Sequence, residues 1–175
     1  MSGRGANPGL RLGVGLAFAV LVLDQASKFY IFRILDLAGQ GPIQILPILD
    51  LSFVWNHGVS LGLFQQGSNT GRWILVCLEL AAVGFIFLWM SRTKSLVTTL
   101  ALGLIAGGAL GNALDRALYG AVLDFLHLHG GAVRWLDFPY LFNLADTAIS
   151  LGVVLLIGES LFIRGQALEP GRDPG

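Results

Sequence analysis

Four stretches of the chain run apolar almost without interruption: Leu12 to Tyr30, Trp73 to Met90, Leu96 to Leu114 and Leu141 to Ile163. Each is close to the ~20 residues a helix needs to cross ~30 Å of hydrocarbon. The pattern predicts four transmembrane helices in a single domain covering residues 1–165. Between them the periodicity changes. "PIQILPILDLSFVWNHG" has apolar stretches around Pro47 and partial alternation at Leu51, Phe53 and Trp55, and "LDFLHLHGGAVRWLDF" alternates on both sides of Gly130-Gly131. Both resemble short hairpins, so a small β-sheet is expected at the outer membrane surface. Residues 166–175, rich in proline and glycine, are expected to form a disordered tail.

Composition agrees with an α-helical membrane protein. The chain of 175 residues is 54% hydrophobic and 13% charged, with a mean hydropathy of +0.71, whereas soluble domains carry about 25% charged residues. The formal net charge is zero and the basic residues are scattered, which excludes a nucleic-acid partner on electrostatic grounds. Cys77 is the single cysteine and forms no internal disulfide. Arg4 and Arg11 ahead of the first apolar run could mark a cleavable signal peptide. No small-x-small site follows, and Asp24 and Lys28 extend the helix at i,i+4, so the segment is read as retained. Arg4, Arg11, Arg92, Lys94, Arg164 and Arg172 fall on one side of the spans, while Arg33, Arg72, Arg116 and Arg134 are spread over the longer opposite loops. That asymmetry places both termini in the cytoplasm.

With this topology and a rise of ~1.5 Å per residue, the charges that interrupt the spans share one depth. Asp24 and Lys28 lie in the outer half of the first helix and Glu79 roughly 9 Å below the start of the second. Asn112, Asp115 and Arg116 lie where the third helix leaves the membrane, Asp124 in the loop beyond it, and Asn143 and Asp146 where the fourth enters. Ionised residues inside a span are costly, so the convergence indicates a shared polar cavity; separate interfacial charges, with Asp115 and Arg116 as a helix-end ion pair, are the plainer reading. A pair of aspartates at such a site can hold a water, one carboxyl protonated and the other activating the solvent. Asp124 and Asp146 are the best-placed pair. Other nucleophiles are weaker: Ser60 lacks a base, and Ser27 and Lys28 point in different directions as helix neighbours. His127 and His129 lack a third metal ligand, and His57 is less specific still.

These residues also carry a resemblance. "DQASK" (24–28), "WNHGVSLGLF" (55–64), "GGALGNALDR" (107–116) running on through "GAVLDF" (120–125), and "FNLADTAIS" (142–150) resemble, in that order, the signature blocks of the lipoprotein signal peptidases, or signal peptidase II, membrane aspartic proteases of bacteria. The resemblance implies four transmembrane helices with a small periplasmic β-sheet and a connecting segment. It implies that Asp124 and Asp146 are the catalytic dyad, that Asp24 and Lys28 organise the pocket, and that Asn56 and Arg116 contact the substrate backbone. Asn112 and Asn143 would orient the dyad carboxylates, and Asp115 would support Arg116 or the loop. It further implies cleavage of diacylglyceryl-modified prolipoproteins on the N-terminal side of the lipidated cysteine, in the bacterial inner membrane, by a monomer whose site faces the periplasm among membrane lipids. No metal or organic cofactor is implied. Leu61 replaces an aromatic common in the second block, and "LHLHGGAVRWLDFPYL" is a variable segment, departures that bear on lid or lipid contacts. A small proton- or ion-coupled transporter using Asp24, Lys28, Asp124 and Asp146 as a relay is the competing class, but it calls for polar groups at several depths, and the inner half holds little beyond Glu159.

Overall fold

The computed structural model of the protein describes residues 8–58, 69–130 and 140–167. Outside them lie several positions of the sequence reading: Arg4, Ser60, Leu61, Arg134, Arg172, the arm after Gly130 of the second expected hairpin, and residues 168–175 of the tail.

Four long helices account for the four apolar runs: α1 (Pro8–Phe29), α3 (Asn69–Arg92), α4 (Leu96–Tyr119) and α5 (Leu144–Ala167). A π-helical turn, Tyr30–Ile34, continues α1 and a single-turn helix, α2 (Leu37–Gln40), follows it. All four long helices are long and apolar enough to cross a membrane. Helix α4 is the hub. In its most apolar window 61% of residues are buried within the protein, against 11–22% for the other three, so α1, α3 and α5 surround it. Phe18, Phe85 and Phe162 on the surrounding helices point outward, where hydrocarbon takes the place of a protein core.

Small residues let the helices close on α4, since association in lipid depends on close packing and not on a hydrophobic drive. A methyl group on Gly107 would lie 2.5 Å from the Ala17 carbonyl of α1, and one on Gly108 2.5 Å from the Ala145 carbonyl of α5. Both obstacles are backbone and cannot swing aside. Gly111 meets a side chain instead, Asp24 Oδ2, again at 2.5 Å from the missing methyl. The family block thus has a packing reason at Gly108 and a reason tied to the polar cluster at Gly111.

Beyond the helices, β1 (Ile43–Leu46), β2 (Leu49–Asn56), β3 (Val122–Leu128) and β4 (Tyr140–Phe142) form an antiparallel sheet in the order β1-β2-β3-β4. The first hairpin is as the alternation predicts. The fourth helix is not: the apolar pattern puts residues 141–143 inside it, but Leu141 and Phe142 pair with His127 and Leu126 of β3, and α5 begins at Leu144. Two apolar residues fit either period, and the polar cap at Asn143 decides the boundary. At its other end α5 continues through Ala167, two residues into the segment expected to be disordered. Helix α4 also runs past Leu114 to Tyr119, so Asp115 and Arg116 stand on its last turns.

Candidate active site

Three local devices place the polar groups. Helix α4 ends at Gly120, whose φ of 82° lies in the left-handed region where glycine is favoured; its N–H donates to the Arg116 carbonyl and the chain turns directly into β3. On β3 side chains alternate. Leu123 and Phe125 enter an apolar cluster with Ile31 and Leu37, so Asp124 between them faces the opposite way. Helix α5 opens with reciprocal capping: Asn143 Oδ1 accepts from the Asp146 N–H at 3.0 Å, and Asp146 Oδ2 accepts from the Asn143 N–H at 3.2 Å. The cap holds Asp146 at the mouth of the helix.

Asparagines link the two carboxyls. Asn143 Nδ2 donates to Asp124 Oδ1 at 2.8 Å and to Asn112 Oδ1 at 3.3 Å, and Asn112 Nδ2 donates to Asp146 Oδ1 at 2.9 Å. From β2, Asn56 Nδ2 donates to the other Asp124 oxygen at 2.9 Å, while Asn56 Oδ1 accepts from the Gly58 N–H. Asp124 is almost fully buried. Loss of hydration raises its pKa above the ordinary 3.8; the Asn56 hydrogen bond opposes the rise and the neighbouring Asp146 charge adds to it. A carboxyl whose protonated form burial favours, beside a second, partly exposed carboxyl, has the properties of an acid–base pair acting on one water.

Behind this pair lies a buried ionic cluster. Lys28 Nζ sits 2.7 Å from Asp24 Oδ2 and 2.8 Å from Asp115 Oδ2. Asp24 Oδ1 accepts from the Ala145 N–H at 2.9 Å, so a carboxylate of α1 caps the N-terminus of α5. Asp115 Oδ1 takes a hydrogen bond from Gln25 at 2.8 Å, and its other oxygen takes the Leu123 N–H at 3.2 Å. Asp115 therefore supports the turn into β3 and Lys28; of the two roles expected for it, contact with Arg116 is replaced by these. Lys28 Nζ also approaches Asn112 Oδ1 at 3.4 Å, which fixes the amide whose Nδ2 is turned to Asp146.

Arg116 pairs with Glu79 of α3, an acid with no role in the family pattern for which the sequence offers pairing with Arg72 or Arg116, or a place facing the cavity. Sequence reasoning misses Gln25, whose only signal is its place beside Asp24 in an otherwise apolar helix. Ser27 donates to the Asp24 backbone carbonyl at 2.7 Å, a local helix contact and not a nucleophile's partner. His129 faces Asp50 at 3.3 Å, at the far end of the sheet register from Asp124. In the inner half, Glu159 accepts from the Ser95 and Thr98 hydroxyls at the start of α4, which gives it a helix-tying role and removes it from any relay.

A family model described as signal peptidase (SPase) II matches residues 16–162. A lipoprotein signal peptidase of Methylorubrum extorquens is 52% identical over 151 residues, spanning 86% of this chain and 86% of that one. One of Nitrobacter hamburgensis is 43% identical over 162 residues, spanning 90% and 96%. A solved bacterial membrane enzyme superposes with a TM-score of 0.72 at 25% identity, covering 86% of this chain and 93% of its own. A second, at 24% identity and a TM-score of 0.70, covers 94% and 95% and shares the fold. The matched span takes in all four helices and the sheet strands between them, and on that ground the chain belongs to the signal peptidase II family.

Proposed function

We propose that the protein removes signal peptides from diacylglyceryl-modified prolipoproteins by aspartic hydrolysis, with Asp124 and Asp146 as the catalytic dyad. The observation that carries the assignment is the hydrogen-bond chain Asp124–Asn143–Asn112–Asp146, which ties two carboxyls from β3 and α5 into one network through neutral amide donors. Asp124, the more buried, keeps the proton and polarises the scissile carbonyl. Asp146 takes a proton from the water that attacks it; the amine then leaves with a proton from the pair. Arg116 and Asn56 meet the substrate backbone. The lipid on the substrate cysteine holds the scissile bond near the outer leaflet, where the dyad stands, in a bacterial inner-membrane protein with both termini in the cytoplasm, acting as a monomer.

The test is incubation of the purified protein in detergent or liposomes with a lipidated prolipoprotein peptide. Release of the signal peptide, cut before the modified cysteine, is expected; no product would remove the reading, and an ion flux in its place would favour the transporter class.

The raised pKa of Asp124 gives a signed expectation. If the protonated carboxyl does the polarising, activity falls as pH rises through its pKa. The Asn56 hydrogen bond favours the ionised form, so Asn56→Leu should push the alkaline limb of the kcat profile to higher pH, in addition to any loss of substrate affinity. The limb belongs to the coupled pair. A limb that moves to lower pH, or stays fixed, counts against Asp124 as the proton holder.

A further inference from the structure

Glu79 is an acid about ten residues into a membrane-spanning helix, and the reaction as described does not use it. Such a residue is expensive unless paired. Its Oε1 carries an ion pair with Arg116 Nη1 on the neighbouring helix. Two turns earlier on α3, Arg72 donates to the Ala117 carbonyl, so α3 grips the last turns of α4 at successive residues. The Glu79–Arg116 pair is incompletely satisfied. Arg116 Nε and Glu79 Oε2 are both buried without a hydrogen-bond partner among the described residues, and buried polar atoms left unmade cost more than a typical hydrogen bond gains. One is a donor and the other an acceptor.

The charged surroundings explain why the guanidinium needs a holder. From α1, Asp24 and Lys28 face this end of the molecule; from α4, Asp115 and Arg116; from β3, Asp124; from α5, Asp146. Asp146 and Asp115 lie close enough to Glu79 to repel it, and Lys28 close enough to attract it. Asp24 and Asp115 are already matched by Lys28, and the dyad takes its hydrogen bonds from asparagines and backbone. Among the described residues Arg116 thus has one ion-pair anchor, Glu79, and it belongs to α3.

We propose that Glu79 is a positioning residue that holds the Arg116 guanidinium against α3, so that the guanidinium is oriented to engage the backbone of the signal peptide being cut. The proposal rests on the peptidase reading. It assigns Glu79 to substrate affinity and not to the chemical step, because no described hydrogen bond of the dyad passes through the pair. A residue that binds ground state and transition state equally changes KM with little effect on kcat.

The test uses the full-length protein in liposomes with the lipidated peptide, comparing Glu79→Gln, Glu79→Ala, Arg116→Gln and the Glu79→Ala/Arg116→Gln double variant. Glu79→Ala should raise KM on the order of tenfold with kcat within about threefold of wild type, and Glu79→Gln, which keeps an acceptor oxygen but no charge, should fall between. In the Arg116→Gln background, Glu79→Ala should add less than about a twofold further rise, since the two act as one unit. Independent, multiplying effects in the double variant would overturn the proposal, as would a loss of kcat at unchanged KM. Should Glu79→Ala fail to purify as a folded protein, Glu79→Gln carries the same comparison in nearly the same volume. A wild-type enzyme without product sinks the peptidase reading itself, a result distinguishable from either of these.

Discussion

Asp124→Asn and Asp146→Asn should each lower the rate of signal-peptide release by at least about a thousandfold, the scale of removing an essential acid–base group, which corresponds to roughly 4 kcal/mol of barrier. Each substitution keeps side-chain volume and one accepting oxygen and loses one hydrogen bond, because the new amide NH2 faces a donor at either position; a loss on this scale is chemical. Asn cannot hand over or accept the proton that the water attack requires. Stability supplies the control. The folded-state pKa of Asp124 lies above the unfolded value of 3.8 because burial penalises the charged form. An acid shifted in that direction costs the fold stability as pH rises through the unfolded pKa towards the folded one. At neutral pH the relief of that charge offsets the hydrogen bond lost to Asn56 or Asn143, so Asp124→Asn should unfold close to the wild-type temperature while releasing no peptide. The pairing of a silent cleavage assay with a near-wild-type melting temperature is the signature of a catalytic carboxyl. Cleavage at more than about a tenth of the wild-type rate in either variant would reject the dyad, whatever the melting temperature.

Where the sequence is legible, the reason is the cost of placing charge in hydrocarbon. Asp24, Lys28, Asn112, Asp115 and Asp146 stand out from their apolar neighbours, and helix rise alone brings them to one depth. The structure joins them in a single cluster through Lys28 and Asn112, so they are not separate interfacial charges. Asp124 requires more, since a loop residue has no depth until the left-handed turn at Gly120 and the strand alternation fix where it points. Partner choice is legible only in part: the sequence offers Glu79 either Arg72 or Arg116, and the structure pairs it with Arg116. Chain adjacency suggests Asp115 beside Arg116, yet successive residues on a helix diverge by about 100°, and the two go to different helices: Asp115 to Lys28 of α1 and Arg116 to Glu79 of α3. The start of α5 is misplaced by the pattern because Leu141 and Phe142 are apolar in either period, and strand pairing with β3, a long-range event, outweighs local pattern. The same blindness hides the Ser95–Thr98–Glu159 tie, which joins residues more than sixty positions apart.

The dyad's geometry depends on a charge balance behind it, and breaking that balance should have the largest structural effect in the molecule. Lys28 is 5% exposed, and the acids it serves, Asp24 and Asp115, are 0% and 1% exposed. Lys28→Met keeps the stem that packs between α1 and α4 but leaves two carboxylates facing each other without a cation. Removing one partner of a buried pair costs about 3–5 kcal/mol, and here one cation answers two acids. The expected result is a large drop in the melting temperature in detergent and a loss of cleavage even below that temperature, because Asn112 loses the ammonium and its carbonyl is left to Asn143, which weakens the hold on the amide aimed at Asp146. Neutralising the acids separates the two effects. In the triple variant Lys28→Met, Asp24→Asn, Asp115→Asn no buried charge is uncompensated, and the amide oxygen introduced at position 24 can still accept from the Ala145 N–H. That protein should recover much of the lost stability yet stay well below wild-type activity, since Asn143 alone then holds the Asn112 carbonyl. A single Lys28→Met variant that melts with wild type would show that the cluster contributes nothing to holding α1, α4 and α5 together. A triple variant that regains full cleavage would show that the dyad is oriented without it.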